Sequence, residues 1–391
     1  VAGPRVAGFL TLVYACCYGA EHMRRVLRTL LILAVGIAVL TALLVHWRHS
    51  LARQGFHWAL LVESVQQARP LLLLEAVVLI YVCYALRALR WCVFSRSLAP
   101  TRFTSVYAAT LMGFTAVFLL GRAGEPVRPL LIARRDRMPV SGMFGIYVLE
   151  RVFDIASTVA LFGAGLVVAT HEMGGEGMEF LDAARGVGAG LLLLELLLIA
   201  FLVYFRMHGA RAVERRMHLW TSAGGWRARL ARAFGGFSRG LQAIRGPRDL
   251  LEAVAYSVLH WLLVAVVFLL VLRAFGSEFS DLTFADAILV LGVTMLGAMV
   301  QLPAVGGGAQ AASFFVLSGL FGYDQEPSAA AAIVLWLVTF AAVCLAGLPL
   351  LIHEGLSMRE LWRMARPETV VADNGSLDGQ PAASSAARQS R

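Results

Sequence analysis

The chain has 391 residues, 59% of them hydrophobic and only 15% charged, with a mean hydropathy of +0.72; a soluble domain carries roughly 25% charged residues. This balance argues against a soluble enzyme. Despite the net charge of +9, nucleic-acid binding is the poorer reading, since no soluble domain is expected that could present a groove reader.

Several apolar stretches approach the ~20 residues that cross a ~30 Å hydrocarbon core, so the expected class is an all-α polytopic membrane protein. All the basic charge is arginine, with no lysine in the chain, and arginine-rich loops mark the cytoplasmic side. The five cysteines (Cys16, Cys17, Cys83, Cys92 and Cys344) lie in apolar segments without CxxC spacing. They suggest buried thiols, with no disulfide framework and no metal site.

In chain order, residues 1–22 form a short apolar run with no good cleavage site. "MRRVLRTLLILAVGIAVLTALLVHW", from Met23, places arginines before a span. Residues 1–22 therefore read as a doubtful N-terminal extension. Full spans are expected at 29–45, 71–94, 142–169, 187–205, 251–272 and 329–352. With the arginine-rich stretch 206–249 inside, both termini are cytoplasmic, and "HEMGGEGMEFLD" and "GSEFSD" fall outside. The loop 46–69 fits this assignment worst, because Arg48 and Arg53 would lie outside.

Two apolar segments, 104–120 and 284–301, break the alternation if each is counted as a span. Arginines flank the first and its polar break on both sides; acidic loops flank the second. Two re-entrant hairpins entering from opposite faces resolve the conflict. The return limb 127–134 covers only about 12 Å at helical rise. The expected fold is thus about six full spans plus two re-entrant helical hairpins, or eight spans if the inbound limbs cross. The elements 71–94, first hairpin and 142–169 then match 251–272, second hairpin and 329–352 as an inverted repeat, a transporter layout with binding near the midplane. The integral membrane domain is expected over 23–355, and a disordered cytoplasmic tail over 356–391.

Ionisable residues at membrane depth mark pathways or internal pairs. In "YVLERVFDIAS", Glu150, Arg151 and Asp154 lie about 12 to 18 Å into their span by helical rise, and Glu150 and Asp154 share a face. In "GRAGEPVRPLL", Gly124 and Glu125 precede a proline that starts the return limb. The unsatisfied amides there suit an anion, and Arg122 and Arg128 add donors for phosphate or carboxylate. The competing reading is that these charges pair with one another as structural glue. In "QLPAVGGGAQ", Gln301, Pro303, Gly306, Gly307 and Gly308 give the second hairpin backbone freedom and close approach.

Glu75 and Glu195, each after four leucines, read as protonated groups bonded to a neighbouring helix, and His260 with Trp261 as core packing. Gly186, Gly188 and Gly190 suit close helix contact. In "GWRARLARAFGGFSRGLQAIRGPRDL", apolar residues recur at helical spacing, with Arg227, Arg229, Arg232 and Arg239 mostly elsewhere on the wheel. This is expected to lie on anionic lipid or to pack beneath the bundle.

"ALRALRW" (85–91), "GRAGEPVRPLL", "VLERVFD" and "QLPAVGGGAQ" together resemble the lysylphosphatidylglycerol synthase transmembrane-region family of flippase-like proteins, over about residues 23–352. The resemblance implies a flippase or transporter of a polar or anionic lipid or a lipid-linked intermediate. No synthase domain follows residue 352, so the likeness is to a stand-alone member and lipid aminoacylation is not expected. No cofactor is implied. Two other readings stay open: a membrane-embedded enzyme acting on a lipid-linked substrate with Glu125 or Glu150 as base, and a non-transporting partner that recruits an enzyme through 206–249.

Overall fold

The computed structural model describes residues 57–172 and 243–365, with Gly186, Ala189, Gly190, Leu193 and Leu197 as isolated helical positions between them. The chain divides into two compact units, 1–59 and 60–391, and every contact below lies within the second. The expected span 29–45, Gly188, Glu195 and the arginines Arg227, Arg229, Arg232 and Arg239 lie outside the described residues.

Helix α1 (Trp58–Gln67) leads into α2 (Pro70–Ser95). Pro70 stands in the first turn of α2, where a missing N–H costs nothing. Helix α3 (Phe103–Leu120) runs into a 3₁₀ turn (Gly121–Gly124), then α4 (Val127–Arg135) and α5 (Val140–Glu172). Helix α6 (Pro247–Ala274) again starts on a proline, and Asp249 complements the positive end of its dipole.

Helix α7 (Phe284–Gly297) opens with a reciprocal cap, Thr283 and Asp286 bonding each other's backbone amides. A two-residue antiparallel pairing of Gln301–Leu302 with Gly306–Gly307 follows. Then come α8 (Gly308–Phe314), α9 (Gln325–Trp336), α10 (Cys344–His353) and α11 (Met358–Ala365), with single π-helical stretches after α8 and α9. Among the described residues, four stretches are long and apolar enough to cross a membrane: Pro70–Ser95, Phe103–Gly124, Pro247–Ala274 and Gln325–His353. The protein is an all-α, multi-pass integral membrane protein.

Both polar breaks fold back as antiparallel helical hairpins. In the first, Gly124 packs on the Ala116 carbonyl, Gly113 on Arg128, and Ser105 Oγ donates to Asp136 Oδ1 at 3.2 Å. The paired numbers keep a nearly constant sum, so α4 retraces α3 from tip to base. Glycine is required at the first two places: a Cβ would stand 2.3 Å from the Ala116 oxygen, or 2.5 Å from Arg128 Cβ. In the second hairpin, Gly308 N bonds Val300 O at 3.0 Å and the Thr294 and Ser313 hydroxyls meet at 2.7 Å. At its base, Tyr323 donates to Asp281 at 2.6 Å.

The packing repeats between two halves. Helices α2 and α6 run antiparallel along their lengths, from Arg69 N on Ala274 O (2.7 Å) to Arg96 on Asp249 (3.1 Å). Inbound limb α3 packs on α10, and inbound limb α7 packs on α5. Each hairpin is thus seated on the long helix that closes the other half. The tips meet in the middle: Ala304 N donates to Phe118 O at 2.7 Å, and Pro303 packs beside Gly121.

One expectation is corrected. The segment from 356 on starts with helix α11 rather than disorder: Ser357 and Glu360 cap it, and Leu361 and Met364 bury its apolar face. Gly186 and Gly190 are exposed, and no described residue comes within 4 Å of where a Cβ would stand.

Candidate functional site

Four arginines and two carboxylates interlock where α2, α4 and α5 meet. Arg87 and Arg90, one helical turn apart on α2, share a face and reach the two acids of α5. Arg87 Nε lies 3.2 Å from Glu150 Oε1, and its Nη2 bonds Asp154. Arg90 Nη2 lies 3.1 Å from Glu150 Oε1 and 2.6 Å from Asp154 Oδ1, while its Nη1 donates to Ser257 Oγ of α6 at 2.7 Å.

From α4, Arg128 grips Glu150 with both terminal nitrogens, Nη1 at 3.2 Å from Oε1 and Nη2 on Oε2. Its guanidinium also lies 4.7 Å from the Trp91 ring centre and 5.2 Å from that of Phe114, a cation–π seat that keeps a charge in apolar surroundings. Glu150 is wholly buried, and Arg90 is 1% exposed. Charges this deep persist only when paired and hydrogen-bonded.

Arg151 is the loosest member. Its Nη2 stands 3.5 Å from Asp154 and 3.8 Å from Glu150, and its side chain keeps 35% of its accessible surface. Beside it, at the first hairpin's tip, Arg122 Nη1 bonds Glu125 Oε1 at 2.6 Å, and the Tyr147 hydroxyl donates to the other Glu125 oxygen. Arg122 Nη2 crosses to the second hairpin and donates to Ala298 O at 2.7 Å.

These groups open onto a cavity of about 580 Å³ between the two hairpin tips. Its polar side carries Arg87, Arg122, Glu125, Arg128, Arg151 and Asp154. The rest of the lining is largely apolar and includes Ile155, Val159 and Phe162 of α5 with Met295, Leu296 and Met299 from the second hairpin. Gln301 lines the cavity too. Pro303, Gly306, Gly307 and Gly308 shape the second tip without facing the charges: Gly306 and Gly307 adopt positive φ (85° and 111°), and Gln310 Oε1 accepts from Gly307 N at 2.6 Å. Gly124 serves the hairpin turn rather than the cavity.

The expected residues of the first hairpin and α5 are therefore brought together around one centre. The charges do pair internally, and they also border open volume. Two arginines of the centre, Arg87 and Arg90, were missed as site residues. Their signal was "ALRALRW", two arginines three apart in a leucine-rich span; so near a span end, such residues ordinarily snorkel to water. His260 is more than core packing: its Nδ1 lies 3.2 Å from Cys83 O and its Nε2 3.5 Å from Arg87 Nη1. Glu75 is exposed. Among the described residues, no three His, Cys, Asp or Glu side chains group as a metal site would.

Fold and site together define a polytopic helical membrane protein that buries an arginine–carboxylate centre beside a cavity between two opposed hairpins. The chain belongs to the lysylphosphatidylglycerol synthase TM region family, which it matches over residues 31–347. It is also similar to a UPF0104 membrane protein of Methanothermobacter thermautotrophicus, with 23% identity over 317 residues, covering 76% of this chain and 90% of that protein. No solved structure matches it.

Proposed function

We propose that the protein moves an anionic lipid, or a lipid-linked intermediate, between membrane leaflets, as a flippase-like transporter whose two hairpins are re-entrant from opposite faces. The observation that carries this reading is the cavity itself. Guanidiniums and apolar side chains share its lining, and the tips of both hairpins border it. A phosphate head group would sit on Arg87, Arg122, Arg128 and Arg151, with its hydrocarbon against Ile155, Val159 and Met295. Family membership supports a lipid-related role in general.

The short return limbs favour re-entrance. Helix α4 has nine residues, about 13 Å at helical rise. Both hairpins are tied at the base, Ser105 to Asp136 and Asp281 to Tyr323, so each base belongs on one membrane surface. With the arginines at 134, 135 and 137 inside, the first hairpin enters from the cytoplasm and the second from outside. The enzyme reading is weaker, because Glu150 is wholly buried and held by three guanidiniums, and Glu125 already accepts from Arg122 and Tyr147.

The test is transfer of labelled anionic phospholipid between leaflets of proteoliposomes. Wild type should accelerate it, and Arg128→Ala, with helix content retained, should bring the rate to that of empty vesicles. Unchanged transfer in that variant would remove the site from the function.

A further inference from the structure

The centre holds more positive charge than its own acids match. Arg87, Arg90, Arg122, Arg128 and Arg151 face Glu125, Glu150 and Asp154, the only acids paired with them among the described residues. The groups lining the cavity give the same balance, four guanidiniums against two carboxylates. Either way two positive charges are left over.

His260 does not alter this count. A neutral ring donates from Nδ1–H to Cys83 O and leaves the Nε2 lone pair to accept from Arg87; a charged ring would set two donors against each other. Tyr147 is a hydroxyl donor to Glu125 and adds no charge.

The surplus is concentrated on the groups that can still donate. Arg151 has a buried Nε with no hydrogen-bond partner among the described residues, and its nearest carboxylate oxygen stands 3.5 Å away. It borders the cavity, as does Arg87. In surroundings of low polarity an unmatched charge is costly, and a ligand of opposite charge relieves it.

We infer that the cavity selects a head group carrying two negative charges, a phosphomonoester or a diphosphate, on a hydrocarbon chain. The inference rests on the lipid reading above. Two charges neutralise the surplus; a phosphodiester supplies one; a zwitterion supplies none. Lysylphosphatidylglycerol, with two ammonium groups on a single phosphate, has the wrong sign for this site despite the family's name.

The experiment uses the full chain in nanodiscs of phosphatidylcholine at mildly alkaline pH. It measures competition among phosphatidic acid, phosphatidylglycerol and lysylphosphatidylglycerol, with inorganic pyrophosphate as a separate soluble arm. Phosphatidic acid is expected to bind about tenfold more tightly than phosphatidylglycerol, as one further close charge pair allows, and lysylphosphatidylglycerol should not compete. Arg151→Gln removes one of the two surplus charges and should bring the ratio of the two anionic lipids close to one. Arg151→Lys keeps the charge and should preserve the ratio. Equal binding of the two anionic lipids to wild type, or a ratio untouched by Arg151→Gln, would overturn the inference and leave the lipid reading standing. Pyrophosphate binding without binding of either lipid would overturn the lipid reading, and the inference with it.

Discussion

Arg122 of the first hairpin donates through Nη2 to the carbonyl oxygen of Ala298 in the second, at 2.7 Å, while its Nη1 holds Glu125. One side chain therefore joins the two tips and also pairs with the acid beside the cavity. Any motion that parts the tips must break this bond and the backbone bond from Ala304 to Phe118.

Locking the tips together should stop transport. With the native cysteines replaced, the double variant Phe118→Cys and Ala304→Cys should form a disulfide on mild oxidation, since the two backbones already touch. Leaflet transfer in proteoliposomes should fall to background when oxidised and recover on reduction. Full activity in the cross-linked protein would show that the tips need not separate.

Glu150 should matter more for folding than any other acid of the centre. Arg87, Arg90 and Arg128 all bond it. Glu150→Gln leaves buried guanidiniums without their counter-charge, a loss on the order of 3–5 kcal/mol. Thermal unfolding in detergent should show a large drop in Tm, whereas Arg122→Ala, at the part-exposed tip, should shift Tm far less.

The close approach of α3 and α4 can be tested with a single methyl group. In Gly113→Ala the new Cβ would lie 2.5 Å from Arg128 Cβ, so α4 must move outward and carry Arg128 with it. Overpacking of this kind costs about 1–3 kcal/mol. Binding of anionic lipid should weaken along with stability, and a fully stable, fully active variant would contradict the geometry.

The base of the second hairpin gives a pH signature. Tyr323 donates to Asp281 at 2.6 Å, and burial, reinforced by that carboxylate, raises the phenol's pKa. A donor whose folded pKa is raised stabilises fully below its ordinary value of about 10 and loses the effect as pH climbs through the raised one. Tyr323→Phe should therefore unfold more easily than wild type at neutral pH, by about 1 kcal/mol. The two proteins should converge in strong alkali; a gap that persists there would mean the hydroxyl is not what matters.

Much of this arrangement was legible in the residue order. Charge phasing flagged both polar breaks, and Gly124, Glu125 and Pro126 marked the first turn where it stands. The four-residue spacing of Glu150 and Asp154 placed both acids on one face. Periodicity reveals a face but not its partner, so it could not show that Arg87 and Arg90 meet that face across some sixty residues of chain. Nor could it show His260 reaching Arg87, or one hairpin tip finding the other, since each contact spans more than 170 residues. Helix α11 was obscured for a different reason: only tertiary burial of Leu361 and Met364 explains why an eight-residue segment holds its shape.

The charged centre also bears on how the chain enters the bilayer during synthesis. Its five arginines and three acids all lie between positions 87 and 154, and their ion pairs are made among themselves. Among the described residues, the later half adds neutral contacts, from Ser257, His260, the Ala298 carbonyl and the Met299 sulfur. Most of the cost of placing those charges in lipid is therefore met by pairing before residue 247 leaves the ribosome. The early helices can wait in the membrane with every acid of the centre matched to an arginine, and the late ones arrive as a lid over a centre that still carries its two surplus positive charges.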